Sequence, residues 1–231
     1  MIEHTVRAFD KELEQLGLRI AEMGGIGEKM VSDATDALVH LDADLARKVI
    51  AADPRLDAIQ REVEELAILT IARRQPLAVD LREIVGAIRV AGDLERVGDL
   101  AKNIAKRAIK IGAEPRIARA TVGLRHMQEV CSEQMKDVLD AYASRDVEKA
   151  RAVWERDVEL DALDDSVFRD LLTFMMEDAR SISFCTHLLF CAKNFERIGD
   201  HATNIAETVH YIVTGQTMPI ERPRANPAPA A

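Results

Sequence analysis

The sequence predicts an all-α protein built as two tandem three-helix bundles related by an internal repeat. Three observations carry this reading. Apolar residues recur at helical spacing through most of the chain, the pattern of helices that each bury one stripe. Aromatic residues make up only 4% of the 231 residues, and the 11 Gly and 7 Pro stand mostly at the ends of the periodic runs. A protein of many short strands and turns would need more of each. Finally, one fifteen-residue stretch occurs twice, 101 positions apart, which marks duplication of a structural unit.

The elements follow in order. Ile2, Val6, Phe9, Leu13, Leu16, Ile20 and Met23 advance by alternating fours and threes, and the phase continues through Gly27, Met30, Ala34, Ala37 and Leu41. This predicts one long helix with a narrow apolar seam. Gly24, Gly25 and Gly27 weaken its middle by about 1 kcal/mol each relative to Ala and favour a bend there. Asp42-Ala43-Asp44 caps a short helix ending near Ala52; Pro54 opens another, to about Arg74; Pro76 opens a third, to about Ile111. Gly112-Ala113-Glu114-Pro115 then breaks the chain.

The second half repeats the plan. Ile117, Ala120, Leu124, Met127, Cys131, Met135, Val138 and Tyr142 form a second seam, and Ser144-Arg145-Asp146 caps a short helix. A helix through Trp154 runs to about Met176, and the last from about Arg180 to Val213. Trp154 and Phe168 are expected in the core. The predicted units are 1–112 and 113–215, followed by a Pro- and Ala-rich tail, 216–231, that is expected to be disordered.

Residues 91–105 read AGDLERVGDLAKNIA and residues 192–206 read AKNFERIGDHATNIA, identical at nine of fifteen positions. Each copy carries Glu-Arg-(Val/Ile)-Gly-Asp, so Glu95 and Asp99 share one helix face, as do Glu196 and Asp200. On the preceding helix, Asp53 and Asp57, and Asp157 and Asp161, have the same spacing. Folding the first hairpin at Pro76 sets Asp53 opposite Asp99 and Asp57 opposite Glu95. Folding the second near Asp178 does the same for Asp157 with Asp200 and Asp161 with Glu196.

Four clustered carboxylates need a positive group between them. Arg96 and Arg197 can supply one; a bound metal ion is the other solution, and oxygen-only ligands suit hard cations and carboxylate-bridged iron. Asn103 and Asn204 can extend either site, and Gly98 and Gly199 fit close helix approach beside the acids. A solvated acidic stripe paired with Arg and Lys stands as the alternative to metal. His201, beside Asp200, is the leading candidate for an extra ligand, although the first copy has Leu100 there.

Composition excludes several classes. A net charge of −9 argues against nucleic acid as partner, with the basic stretches at Arg73-Arg74 and from Lys102 to Lys110 as local exceptions. No apolar run reaches membrane-spanning length, and no signal peptide is visible. Cys131, Cys185 and Cys191 make no disulfide framework and read as core thiols. A cytoplasmic location is expected. The long helix faces leave room for a homodimer. A carboxylate-bridged di-metal enzyme in a helical bundle is the rival functional reading, but it wants two Glu-x-x-His motifs and the chain has one, Glu207 to His210. No Gly-rich phosphate loop is present.

The doubled Glu-Arg-(Val/Ile)-Gly-Asp motif resembles that of the PhoU family of bacterial phosphate-signalling regulators. So do Arg73-Arg74-Gln75-Pro76-Leu77-Ala78-Val79-Asp80-Leu81-Arg82 and Leu171-Leu172-Thr173-Phe174-Met175-Met176. The resemblance spans about residues 5–217. It implies two three-helix bundles with multinuclear metal sites at Glu95/Asp99 and Glu196/Asp200. It maps the partner pairs less directly to Asp53/Asp57 and Asp157/Asp161, with Glu64 a rival in the first unit. The implied metal is iron, zinc, manganese or magnesium. The implied function is negative regulation of the phosphate regulon and of phosphate uptake. On that reading the protein sits between the phosphate ABC transporter, through its ATPase PstB, and the sensor histidine kinase PhoR, and is not an enzyme.

Overall fold

The computed structural model describes the backbone of residues 2–112 and 118–219, and side chains from Phe9 onward. Ile2 and Val6 of the first seam, Pro115, Ile117 and the tail from 220 lie outside the described side chains. Six helices are described: α1 (Ile2–His40), α2 (Ala43–Arg74), α3 (Ala78–Ile111), α4 (Val122–Ser144), α5 (Val147–Glu177) and α6 (Ile182–Thr214). Single 3₁₀ turns precede α4 and α6. α1, α2 and α3 pack together as one bundle, α4, α5 and α6 as the other. The bundles meet where α3 lies against α6 and α1 against α4.

The predicted short helices do not exist as separate elements. α2 runs unbroken through Pro54, and α5 runs unbroken from Val147. The missing N–H of Pro54 removes one ladder bond, but Val49, Asp53 and Leu56 on either side are all buried on one stripe. Packing of that stripe holds the helix through the defect. The predicted caps are observed. The Asp42 side chain accepts from the backbone N–H groups of Asp44 and Leu45, both at 2.9 Å, and that of Asp146 from Lys149 at 3.0 Å.

In α1, Leu16, Ile20, Met23, Met30, Ala34 and Ala37 are buried as the seam requires. Val31 and Leu38 are buried as well, because α1 touches α2 and α3 on one side and α4 on the other. Each fully buried Leu, Ile or Met contributes about 1.5–3 kcal/mol. The helix is continuous through its glycines. A Cβ on Gly24 would stand 2.7 Å from Leu139 Cδ1, so that glycine lets α4 approach. In the second bundle Leu124, Cys131, Val138, Trp154, Phe184 and Phe195 form the core. Phe168 does not join it: the ring is 52% exposed, and the neighbouring Val167 takes the inward position.

α6 ends at Gly215, whose φ of 73° suits glycine. The chain beyond it turns back, with His210 Nδ1 3.0 Å from the Gln216 carbonyl and Met218 buried. No helix among the described residues is long and apolar enough to cross a membrane.

Candidate functional site

Both hairpins fold in the register that the carboxylate spacing requires. In the first, Leu56 of α2 packs on Gly98 of α3; in the second, Leu160 of α5 packs on Gly199 of α6. These contacts are equivalent under the repeat. A Cβ on Gly98 would stand 3.3 Å from Leu56 Cδ2, and one on Gly199 would collide with Leu160 Cδ2. The glycines bring the helices close at the level of the acids, as expected.

In the first bundle the cluster contains an ammonium group. Lys102 Nζ lies 2.7 Å from Asp53 Oδ2 and 2.5 Å from Asp99 Oδ1, bridging α2 and α3. Burial opposes the Lys102 charge, but the hydrogen bonds to Asp53 and Asp99 overcome it and hold its pKa above the ordinary lysine value. Asp99 shows the reciprocal balance: burial pushes it up, while Lys102 and then Arg96 pull it down further. Arg96 also reaches Glu95 at 3.3 Å and Asp99 at 3.2 Å, as the sequence suggested. Glu95 remains raised, first by burial and then by Asp99, with Asp57 and Asp53 adding smaller repulsions. The four carboxylates named from the sequence therefore form one electrostatic group, and Lys102, which bridges two of them, is the member that motif spacing did not reveal. Glu64, the rival, accepts instead from Gln60 Nε2 at 3.1 Å.

The second cluster is built differently. The position equivalent to Lys102 is Thr203, whose hydroxyl donates to the Asp200 carbonyl at 2.7 Å. Glu196 is raised, mainly by burial and then by Asp200 and Asp164, against a hydrogen bond from Lys193 at 2.6 Å. Glu196 Oε2 is buried with no hydrogen-bond partner among the described residues. Asp164, one turn beyond Asp161, is also raised, by burial and then by Asp165 and Asp161, with Lys193 opposing. It belongs to the cluster and was missed; the i,i+3 spacing from Asp161 was the available signal. Asp157 is buried at the α4–α6 junction: its Oδ1 lies beside Gly199, and its charge helps raise the Cys131 thiol after burial. Arg197, offered as the counter-ion here, lines a groove together with Lys193.

These donor sets differ in their fit to a metal ion. Among the described residues, no three His, Cys, Asp or Glu side chains converge as they stand into a ligand set. The first cluster already holds a cation in Lys102. The second has an orphaned buried carboxylate oxygen and two raised carboxyls, which an incoming cation would satisfy.

Two of the other candidates, His201 and Asn204, serve the seam between bundles. His201 Nδ1 lies 2.9 Å from Asp93 Oδ1, and Asn204 Nδ2 donates to the same oxygen at 3.3 Å. Asn103 lines the groove that holds Arg197. The Glu-x-x-His pair separates: Glu207 accepts from Trp154 Nε1 at 3.2 Å, while His210 faces the Gln216 carbonyl. The three cysteines are free and buried.

Two three-helix bundles joined through their third helices, each with a carboxylate cluster on a Gly-mediated hairpin, define a duplicated helical-bundle protein. A family model described as "PhoU domain" matches residues 20–108 and 124–209. The chain belongs to that family. It is 57% identical over 221 residues to a "Phosphate-specific transport system accessory protein PhoU homolog" of Rhizobium meliloti, covering 96% of this chain and 93% of that one. It is 47% identical over 224 residues to a protein of the same description from Caulobacter vibrioides, covering 97% of each. The fold matches the crystal structure of PhoU from Pseudomonas aeruginosa with a TM-score of 0.85 at 39% identity, covering 90% of this chain and 100% of that one. The phosphate transport system regulatory protein PhoU from Streptococcus pneumoniae gives a TM-score of 0.84 at 25% identity, covering 92% and 100%.

Proposed function

We propose that this chain is a negative regulator of the phosphate regulon and of phosphate uptake, coupling a phosphate ABC transporter to a sensor histidine kinase. The observation that carries the reading is the near full-length identity, 57% over 96% of the chain, to a phosphate-specific transport accessory protein. The partners are the transporter ATPase PstB and the kinase PhoR, and the protein works in the cytoplasm as a homodimer. The two hairpin tips suit protein contacts, since Leu77 is 80% exposed at one and Met176 81% exposed at the other. The role is regulatory and not catalytic.

The carboxylate clusters bind a cation of the iron, zinc, manganese or magnesium class. Glu196, Asp200, Asp157 and Asp161 would hold it in the second bundle together with Asp164. Glu95, Asp99, Asp53 and Asp57 would do so in the first once Lys102 moves aside. A bound cation would neutralise the carboxylates and fasten each hairpin at the level of its glycine.

The test is alkaline phosphatase activity in phosphate-rich medium with and without the gene. Derepression on deletion, reversed by a wild-type copy, supports the regulator. A reporter that stays off in the deletion strain rejects it and returns the clusters to the metalloenzyme reading.

A further inference from the structure

α3 and α6 cross the centre of the molecule antiparallel. Arg82 Nε donates to the Ile212 carbonyl at 3.1 Å near one end, Asp93 meets His201 further in, and Arg107 donates to His187 Nδ1 at 3.0 Å near the other. The repeat maps each helix onto the other, so this pair carries two equivalent grooves, one on each side of the Gly98/Gly199 level.

The grooves have diverged in charge. The first, of ≈620 Å³, is mixed, with Arg89 and Arg96 facing Asp93, Glu95 and Glu207. The second, of ≈400 Å³, is lined by Lys106, Arg107, Lys110, Lys193, Arg197 and Phe190, with two asparagines and no acid. The differences fall at matched positions 101 apart: Lys106 stands for Glu207, Lys193 for Gly92, and Asn194 for Asp93. Five cations thus line one concave wall of a chain whose net charge is −9. Of the five, Lys193 is paired with Glu196 at 2.6 Å and also feels the charges of Asp164 and Asp200. Like charges lining one concavity focus a positive potential into it.

The groove is also pre-ordered. Arg107 lies over the Phe190 ring at 3.9 Å from its centroid while bonded to His187, which fixes its guanidinium before any ligand arrives. The α3 residues 106, 107 and 110, with Asn103, occupy one helix face, and seven residues of helix rise about 10 Å. Five charges over that length exceed what one orthophosphate, which carries at most about two negative charges at neutral pH, can match. An extended anion with charges repeated along a chain fits better, and Arg and Lys together suit phosphoryl oxygens.

We propose that this groove binds a linear oligophosphate, either an inorganic condensed phosphate or the triphosphate of a nucleotide. The proposal stands on the groove and not on the regulator reading. Lys193 is shared with the second carboxylate cluster, so an anion in the groove acts within electrostatic reach of Glu196.

Isothermal titration calorimetry on the full chain in EDTA tests this, with sodium tripolyphosphate, ATP and orthophosphate as probes. Binding of either oligophosphate at least about tenfold tighter than orthophosphate, weakening steeply with added salt, is expected. If both bind alike, the phosphate chain is what is recognised; binding of only one assigns the source. Lys106→Glu with Lys110→Glu, both on exposed helix positions, should weaken binding about tenfold or more with an unchanged circular dichroism spectrum and Tm. Arg89→Ala in the duplicate groove should leave it unaltered. Undiminished binding by the double variant overturns the site. Failure of both oligophosphates at millimolar concentration overturns the ligand class, and a polyglutamate peptide binding in their place would assign the groove to an acidic protein segment.

Discussion

Asp93 of α3 and His201 of α6 meet across the molecular centre at 2.9 Å, tying the stretch that leads into the first Glu-Arg-Val-Gly-Asp motif to the residue that follows the second. Asn204 donates to the same oxygen, and the Asp93 side chain is 16% exposed. Asp93→Ala should therefore leave two donors on α6 without their acceptor and cost about 1–3 kcal/mol. Urea denaturation checks this, and a double-mutant cycle with His201→Ala should show coupling of about 0.5 kcal/mol or more. Strict additivity would mean that the contact does not join the bundles energetically.

Lys102 makes the two clusters chemically unequal, since its counterpart is Thr203. Lys102→Met should destabilise the metal-free protein by about 1–3 kcal/mol, because Asp53 and Asp99 lose their shared counter-ion. Manganese should then raise Tm more in the variant than in the parent. Thr203→Lys should do the reverse and lower metal uptake at the second cluster, read as metal per chain after dialysis. Equal uptake by all three proteins would place any bound metal elsewhere.

The hairpin glycines differ in how much room they leave. A side chain at Gly199 collides with Leu160, while at Gly98 it meets Leu56 at 3.3 Å. Gly199→Ala should cost about 1–3 kcal/mol, and Gly98→Ala clearly less. Thermal melts of the two variants side by side decide it. The opposite ranking would show that the first hairpin is the more tightly closed.

Stability should respond to pH with opposite signs at Glu196 and Glu12. The Glu196 carboxyl is raised, chiefly by burial, so its contribution is full below the ordinary carboxyl value and is lost as pH rises through its folded value. Glu196→Gln should then gain stability over the parent at neutral pH in EDTA, and the gain should vanish near pH 4. Glu12 is lowered by the Arg74 guanidinium, which bonds both its oxygens at 2.9 Å. Its contribution is present above the ordinary value and lost as pH falls through the lowered one. Glu12→Gln should lose stability at neutral pH and match the parent in strong acid. Urea midpoints across the pH range measure both differences.

Cys131 and Cys191 are fully buried. Burial pushes the Cys191 thiol to about 12 and that of Cys131 higher still. Neither should react with Ellman's reagent in the native protein, and all three cysteines should react once it is unfolded. Fast native labelling of Cys191 would show that α6 opens readily.

Much of this architecture was legible in the residues because helical spacing is local. The seams through Leu16, Ile20 and Met23, the caps at Asp42 and Asp146, and the glycines that let the hairpins close all follow from which side chains share a face. Duplication made the hairpin register legible too, since the same acid spacing recurs around two turns. Reading failed where a long-range partner overrules a local signal. Pro54 looked like a helix start, yet burial of Val49, Asp53 and Leu56 carries α2 through it. Phe168 looked like core, yet Val167 faces inward.

The sequence by itself determined an all-α chain of amphipathic helices in two repeated units, and which carboxylates ride on the same face, because 3.6-residue periodicity needs no knowledge of neighbours; that the two short helices merge into α2 and α5 came from the tertiary structure. Only the tertiary structure decided what stands between those carboxylates and what the remaining faces meet. Lys102 bridges Asp53 and Asp99 in the first cluster, whereas Lys193 meets Glu196 in the second; Asp93 meets His201; five cations gather beside Phe190. Each of these depends on how α2, α3 and α6 are set against one another, and burial of apolar surface fixes that arrangement for the whole chain at once.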